Sequence, residues 1–420
     1  METTHTSRVG DLPSCISSRN ISSRFHIAVV TSHPIQYQAP WFRALTSFSD
    51  VDLQVLFCHQ ATPSEQAAAG FGVEFDWDGG LLEGYRSRFL VNVAAKPSVH
   101  TFFGLDTPEL TEIIKRHKYD AVIVAGWHYK SAWQAIRACW KSQTPVMVRS
   151  DSHLHSNRSG VKSVGKWPFY RWFIPRFDAC LPVGQWSREY FMHYGARPEK
   201  IFIVPHAVDD TFFSRELKRL TICRAELCSE WNLDVEAPVF LFAGKFVENK
   251  RPLDFLKAID LIVKRGADVA GLMVGDGPLR GACEAFVSRE RLPVRFTGFL
   301  NQSDMPKAYV VSNALVLPSE GETWGLVVNE AMIGGVPAFV SDQVGCAPDM
   351  ISDGQTGYVY PVGNIEALAE FMFWFARDKP KQQHMGGEAE KKARSYSAMC
   401  GAQATLNAVR SVVGVQGRQS

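Results

Sequence analysis

Short apolar runs alternate with helix-length amphipathic segments along most of the chain, and this alternation restricts the possible folds more than any other feature. A first series starts at His26 with the runs HIAVVTS, VDLQVLF, AVIVAG, PVMVRS and ACLPVG. A second series follows Asn232 with PVFLFAG, AGLMVG, VRFTGF, ALVLPS, PAFVS and TGYVYP. Strands this apolar, each followed by a helical segment, are typical of parallel sheets that helices cover on both faces. The pattern predicts an α/β protein with two doubly wound domains.

The length of the chain agrees with two domains, because 420 residues exceed the roughly 250–300 that one hydrophobic core usually encloses. The segment IFIVPHAVDDTFFSRELKR separates the two series, and we place the boundary near Asp209–Ser214. The expected segments are a polar, serine-rich, disordered leader (1–24), an N-terminal domain (25–209), a C-terminal domain (210–395) and a terminal helix that could cross back to the first domain (396–420). A targeting role for the leader stays open. Ligands of doubly wound sheets bind at the carboxyl ends of strands, so we expect a site in a cleft between the domains.

Composition excludes several classes of protein. The 45 basic and 43 acidic residues give a formal charge of +2, so no overall field attracts nucleic acid. The nine cysteines are scattered without a C-x-x-C pair, which favours reduced thiols in a cytoplasm over a disulfide framework or a zinc site. We found neither a signal-peptide pattern nor an apolar run of about 18 residues, and therefore expect a cytoplasmic protein that does not span a membrane.

The segment ETWGLVVNEAM carries the most informative chemistry. It follows the apolar run ALVLPS and separates Glu322 from Glu330 by seven residues. We expect a helix with Thr323 as its N-cap, whose first N–H groups hold a phosphate. The candidate donor contacts here are therefore Thr323, Trp324, Gly325 and Leu326, and the N–H groups near the last three could hold the phosphate. Glu330, about two turns into this helix, could accept hydrogen bonds from ribose hydroxyls.

This segment resembles the Glu-x7-Glu signature of family 4 of the retaining glycosyltransferases, with Trp324 in place of the family's usual phenylalanine. The resemblance implies the GT-B fold, in which two Rossmann-like domains face a cleft. It also implies transfer of a sugar from a nucleotide-sugar donor to a glycan, lipid-linked or small-molecule acceptor. Because no carboxylate pattern around the histidines forms a credible metal site, we expect the transfer to need no metal or other cofactor. By the same resemblance Glu322 lies beside the donor sugar and acts in catalysis, whereas Glu330 holds the ribose.

Three further segments match family positions around the donor. AGKFVENKR supplies Lys245 and Lys250, two cations that could stabilise the charge on a departing diphosphate. The other candidate donor contacts are Gly275 and Gly277 in the turn GDGPLR, and Phe299 and Leu300 in FTGFL, where the base is expected.

The first domain matches the family less well, because the loop TSHPIQYQAP stands where family members usually carry a pair of glycines. His33 and Gln36 in this loop are candidate acceptor or sugar contacts, and a structural role as a proline-containing turn is an equal alternative. Arg149 and Asp151 follow another predicted strand and are candidates for the same contacts. His128 in AGWHYKSAW is a catalytic candidate, because the family places a histidine near the reacting sugar in this region.

The segment Lys162–Arg176, KSVGKWPFYRWFIPR, interleaves four cations with five aromatic residues. Such a mixture is typical of a helix at the surface of an anionic bilayer, which would suit a lipid-linked acceptor at the inner face of a membrane. The alternative is a helix whose aromatic residues pack against the sheet.

The sequence leaves more than one mechanism and more than one function open. No carboxylate is an obvious nucleophile for a double displacement, so the resemblance favours a front-face mechanism in which the donor phosphate deprotonates the acceptor. A nucleotide-sugar epimerase of the same fold remains open, as does a nucleotide-sugar binder without activity.

Overall fold

A computed structural model describes residues 24–60, 80–155 and 160–416 of the chain. The expected leader (1–24) lies almost entirely outside these residues. Within the described ranges, no helix is both long enough and apolar enough to cross a bilayer.

The first domain is built on a parallel six-stranded sheet with the order β3-β2-β1-β4-β5-β6. Its strands are β1 (Phe25–Thr31), β2 (Val51–Phe57), β3 (Arg86–Phe89), β4 (Ala121–Ala125), β5 (Val146–Ser150) and β6 (Ala179–Pro182). The associated helices are α1 (Ala39–Thr46), α2 (Leu110–His117), α3 (Lys130–Ser142), α4 (Gly160–Phe173) and α5 (Gln185–His193). The apolar runs predicted every strand of this sheet except β3, which is a half-exposed edge strand and therefore lacks an apolar run.

The second domain repeats this architecture with the parallel strand order β12-β11-β10-β7-β8-β9. Its strands are β7 (Val239–Ala243), β8 (Ala270–Val274), β9 (Val294–Gly298), β10 (Ala314–Leu317), β11 (Ala338–Ser341) and β12 (Gly357–Tyr360). The helices are α6 (Asp210–Thr221), α7 (Arg224–Glu230), α8 (Pro252–Lys264), α9 (Arg280–Glu290), α10 (Met305–Val311), α11 (Leu326–Ile333), α12 (Ala347–Met350), α13 (Ile365–Ala376) and α14 (Lys379–Arg394). Two Rossmann-like sheets of this kind confirm the GT-B fold class that the resemblance implies.

Each sheet separates two hydrophobic cores, because successive side chains of a strand point to opposite faces. In β7, Leu241 packs with α6 and α11, whereas Phe242 packs with α8 on the other face. Apolar side chains are therefore needed at every position of a central strand such as β7, whose sequence VFLFA is a continuous apolar run.

The last helix, α15 (Ala398–Gln416), packs on the first domain rather than on the second. Leu406 and Val409 are buried in the same core as Val29 of β1. The indole Nε1 of Trp41 in α1 donates a hydrogen bond of 3.1 Å to Thr405 Oγ1. The chain thus crosses between the domains twice, once before α6 and once before α15.

Candidate active site

A cavity of about 640 Å³ lies at the carboxyl ends of β7, β8 and β10 in the second domain. The strand order of this sheet reverses between β7 and β10, and ligands of doubly wound sheets bind at such a reversal. Gln36 from the first domain also lines the cavity, which therefore lies between the two domains.

Most of the candidate donor residues line this one cavity, although they come from distant segments of the chain. They are Lys245, Lys250, Gly275, Phe299, Leu300, Glu322, Gly325, Leu326 and Glu330, together with the acceptor-side candidate Gln36. His33, Gly277, Thr323 and Trp324 are described residues that do not line it.

Helix α11 begins beside the cavity, but Thr323 does not cap it, so that expectation is wrong. The cap is Gly325, which has φ 102° and no side chain, and the helix starts at Leu326. A Cβ at Gly325 would lie 3.1 Å from the Leu317 side chain and would be strained at this φ angle. The backbone N–H groups of Leu326 and Val327 belong to the first turn, and both residues line the cavity. This helix start remains the candidate phosphate site.

Trp324 turns away from the cavity and is only 3% exposed. Its Nε1 donates a 2.9 Å hydrogen bond to Asn329 Oδ1, and its ring centroid lies 5.9 Å from that of His206. Because His206 belongs to the crossing between the domains, the Trp324 side chain supports this crossing.

Lys245 and Lys250 follow β7, and both line the cavity. The Lys250 ammonium forms an ion pair with the Glu322 carboxylate, and both side chains are largely buried. Burial, and then repulsion from Lys245, lowers the pKa of Lys250 to about 8, and burial also lowers the pKa of Lys245. Repulsion between neighbouring ammonium groups decreases when an anion binds between them, which makes this side of the cavity suitable for a diphosphate.

Glu330 is a buried carboxyl group, 8% exposed, that lines the same cavity. The hydroxyl of Tyr309 donates a 2.5 Å hydrogen bond to its Oε2. Burial raises the pKa of Glu330 to about 7, and the hydrogen bond from Tyr309 opposes this rise. Hydrogen bonds from ligand hydroxyls would favour the charged carboxylate and so would lower this pKa.

The glycines of GDGPLR hold two loops together. A Cβ at Gly275 would lie 2.0 Å from the carbonyl oxygen of Gly244, and one at Gly277 would lie 2.7 Å from that of Phe246. Both glycines also have positive φ angles, of 126° and 152°. Only glycine permits this close approach of the two loops, and Gly277 contributes to the site through packing rather than by lining the cavity.

A second cavity of about 310 Å³ lies at the carboxyl ends of β1, β4 and β5 in the first domain. His128, Arg149 and Asp151 line it, together with aromatic residues that include Trp127 and Tyr170. Partial desolvation lowers the pKa of the exposed His128, and the negative charge of Asp151 opposes this shift. His33 follows Ser32, which lines this cavity, but His33 itself is not among the lining residues. The Nδ1 of His33 lies 2.9 Å from the Ser32 hydroxyl, with which it forms a hydrogen bond.

Metal-ligand groups do not assemble in either cavity. Across the ranges that the structure describes, no three histidine, cysteine, aspartate or glutamate side chains are close enough together to hold an ion.

Two family models match the chain, one on each domain. The model described as "Glycosyltransferase Family 4" matches residues 40–212, and the one described as "Glycosyl transferases group 1" matches residues 224–392. The chain belongs to glycosyltransferase family 4. Together the two matches extend over most of both domains.

Curated relatives of this family 4 chain are similar to part of it at moderate identity. It is 29% identical over 168 residues to a sulfoquinovosyl transferase of Arabidopsis thaliana, and this covers 39% of the chain and 32% of the relative. It is 28% identical over 201 residues to the N-acetyl-alpha-D-glucosaminyl L-malate synthase of Bacillus anthracis, which covers 47% of the chain and 50% of that protein. The alignments thus span a third to a half of the length of these relatives.

Solved structures show the same fold over nearly the whole chain. A glycosyltransferase from Rickettsia africae superposes with a TM-score of 0.71 at 15% identity, over 93% of this chain and 99% of that one. The Anabaena protein HepE in complex with UDP superposes with a TM-score of 0.67 at 17% identity, over 91% and 99% of the two chains.

Arg149 occupies an unexpected place in this family 4 structure. It is 4% exposed, and its Nη2 lies 3.2 Å from both the carbonyl oxygen of Pro205 and Nδ1 of His206. Its guanidinium also lies 4.9 Å from the centroid of the Trp41 ring. Burial, and then the charge of Arg149, lowers the pKa of His206 well below its usual value, so a neutral His206 accepts from Arg149. Arg149 therefore holds the first crossing between the domains at the edge of the second cavity.

Sequence reasoning missed a second set of contacts between the domains. The backbone N–H of Gln185, at the start of α5, donates to the buried carboxyl of Asp349 in α12, with 2.9 Å to Oδ2. The hydroxyl of Tyr396 donates to Oδ1 of the same group at 3.1 Å. These residues come from three distant segments, and no local pattern marks them.

Sequence reasoning also missed three residues that line the larger cavity, Asn249, Gln302 and Met305. Asn249 and Gln302 were detectable only as polar residues after predicted strands.

Proposed function

We propose that this family 4 protein transfers a sugar from a nucleotide-sugar donor to an acceptor hydroxyl, with retention of the anomeric configuration. One observation carries the proposal: the two lysines, the start of α11 and the buried Glu330 line a single cavity between the domains. A nucleoside diphosphate needs cations, N–H donors and an acceptor for ribose hydroxyls, and these groups supply all three.

The donor fits this cavity in one orientation. The diphosphate lies between Lys245, Lys250 and the first turn of α11, where positive charge and N–H dipoles converge. The ribose hydroxyls donate to Glu330, and the base lies toward Phe299 and Leu300. The sugar then extends past Glu322 toward the first domain.

The transfer itself is a substitution on one face of the sugar. The bond between the anomeric carbon and the diphosphate oxygen breaks, and its electron pair goes to that oxygen. The acceptor oxygen bonds to the anomeric carbon on the same face, and its proton passes to the departing phosphate oxygen. The lysines and the helix start stabilise the negative charge that grows on the diphosphate, so we propose that no metal ion is required.

The acceptor binds in the smaller cavity of the first domain, where the lining residues His128 and Asp151 are candidate polar contacts. Because the donor cavity belongs mainly to the second domain, the reaction requires the two cavities to close on each other. We place the hinge at residues 205–211, which include the Arg149 contacts Pro205 and His206 and the start of α6.

A ligand screen followed by a transfer assay tests this function. Nucleoside diphosphates are ranked by the rise in melting temperature that they cause, beginning with UDP because HepE was solved with it. The matching nucleotide sugars are then incubated with acceptors, and products are separated by chromatography. Transfer or slow donor hydrolysis supports the proposal. Release of a free epimerised nucleotide sugar would instead support an epimerase, and tight binding without turnover would support a binder without activity.

A further inference from the structure

The first domain carries an exposed cluster of aromatic and basic side chains on α4 and the residues that follow it. Trp167 and Trp172 are each 47% exposed and Phe169 is 42% exposed. Arg171 lies 5.6 Å from the Trp167 ring centroid, and Arg176 lies 4.0 Å from that of Trp172. Large exposed rings with cations beside them are costly to keep in water and indicate a binding surface.

Helix α3 extends this cluster. The ring centroid of Trp133 lies 5.8 Å from that of Phe169, and that of Trp140 lies 6.4 Å from that of Trp172. The exposed Lys141 follows Trp140 directly. We call the surface formed by Lys141, Trp167, Phe169, Arg171, Trp172 and Arg176 the aromatic–basic face.

The charge of this region is unlike that of the whole chain. No aspartate or glutamate occurs from Ser152 to Phe177, whereas five lysines and arginines do. Helix α3, Lys130–Ser142, also lacks acidic residues and carries three basic ones. Because the whole chain has a net charge of only +2, the exposed Lys141, Lys166, Arg171 and Arg176 form a local positive surface that is complementary to an anionic one.

The aromatic–basic face borders the smaller cavity. Tyr170 of α4 and Trp127 both line that cavity, and Trp127 Nε1 lies 3.4 Å from Tyr170 Oη. Nε1 of Trp133 in α3 also donates to the backbone oxygen of Trp127, at 2.9 Å. A molecule held at the face would therefore lie next to the cavity in which we place the acceptor.

We propose that the aromatic–basic face binds the surface of an anionic lipid bilayer and that the acceptor is consequently a lipid-linked hydroxyl compound. The indole and phenyl rings lie at headgroup depth, and the cations pair with anionic headgroups. The assignment of the acceptor rests on the proposed glycosyl transfer, whereas binding to a bilayer does not depend on it.

Sedimentation with lipid vesicles tests the binding. The protein is mixed at low salt with vesicles of phosphatidylcholine alone or of phosphatidylcholine with phosphatidylglycerol. We expect preferential binding to the anionic vesicles and its loss at high salt. Each cation near an anionic surface contributes about fivefold to partitioning, so R171Q/R176Q should reduce partitioning by roughly 25-fold.

Two matched controls come from the second domain. K391Q/R394Q removes two exposed cations from α14, and W374S removes an indole that is 60% exposed on α13. Both controls should bind vesicles as the wild type does. In W167S/W172S, quenching of the tryptophan fluorescence by brominated lipids should decrease, whereas W374S should leave it unchanged. Melting temperature and nucleoside diphosphate binding, measured on every variant, show whether each one is folded.

Several results would overturn the proposal. They are equal partitioning of the wild type and a folded R171Q/R176Q, tighter binding to single-stranded RNA than to vesicles, and a self-association that W167S/W172S abolishes. Vesicle binding by a protein that transfers no sugar would leave the bilayer proposal intact and refute the proposed function. Transfer to soluble acceptors without vesicle binding would support the proposed function and refute the bilayer proposal.

Discussion

Donor binding should depend on pH through Glu330, and replacing this residue with glutamine should remove the dependence. Burial raises the pKa of the Glu330 carboxyl to about 7, against the opposing effect of the hydrogen bond from Tyr309. Ribose hydroxyls donate to the charged form, so the carboxyl must lose its proton when the donor binds. The fraction of protein with charged Glu330 is about 0.1 at pH 6 and about 0.9 at pH 8. Nucleoside diphosphate affinity should therefore rise about tenfold over this range through Glu330 alone.

Comparison with E330Q isolates this contribution. Titration of the diphosphate and of Lys250, whose pKa is about 8, also changes affinity with pH, but both effects are common to the wild type and the variant. We expect E330Q to bind more weakly at pH 8 by roughly 1.5–3 kcal/mol and the difference to shrink by about 1.4 kcal/mol at pH 6. Isothermal titration calorimetry in buffers of different ionisation enthalpy also measures the released proton.

A matched ligand provides the control. A 2′,3′-dideoxynucleoside diphosphate lacks the hydroxyls that should contact Glu330, so wild type and E330Q should bind it with similar affinity. Equal pH dependence of the two proteins toward the natural diphosphate, with no difference in proton release, would refute the placement of the ribose at Glu330.

The raised pKa of Glu330 also affects the stability of the protein without ligand. The folded-state pKa of Glu330 exceeds its ordinary value of 4.5, so the neutral form stabilises the fold below that value. This contribution is lost as pH rises through about 7, because the folded protein must then bury a charged carboxylate. E330Q should consequently melt at a higher temperature than the wild type at pH 8, as measured by calorimetry. A lower melting temperature of E330Q would show that the hydrogen bond from Tyr309 stabilises the charged carboxylate by more than its burial costs.

Three further predictions concern the other donor residues and closure. Alanine at Lys250 or Lys245 should lower kcat by on the order of 100-fold while weakening donor binding less, because the charge on the diphosphate grows during bond breaking; an unchanged kcat would place the diphosphate elsewhere. E322Q should reduce transfer but leave the Kd of the free nucleoside diphosphate nearly unchanged, which calorimetry checks, since we place the sugar rather than the nucleotide beside Glu322. Small-angle scattering should show a smaller radius of gyration with a donor analogue, because the domains close about residues 205–211; identical curves would contradict closure.

Local features of the sequence determined the elements and most of the donor cavity. Most strands are buried on both faces, so short, mainly apolar runs predicted eleven of the twelve strands that the structure describes. Proline is favoured at the first position of a helix, and Pro252 begins α8. Parallel strands bring their carboxyl ends to one edge of a sheet, and Lys245, Gly275 and Glu322 follow three such ends. Their convergence was therefore predictable from the order of the elements.

Tertiary structure alone decided how individual side chains are used. Gly325 rather than Thr323 caps α11, at a φ angle of 102° and with Leu317 and Val344 so near that an added Cβ would lie 3.1 and 3.2 Å from them. Arg149 contacts the crossing between the domains instead of solvent, although its residue type suggested a substrate contact. The raised pKa of Glu330 has the same kind of origin, since burial removes the water that would stabilise its charge. Sequence patterns record the periodicity and the order of elements, whereas burial and contacts between distant segments depend on how the two domains pack, and no local pattern carries that information.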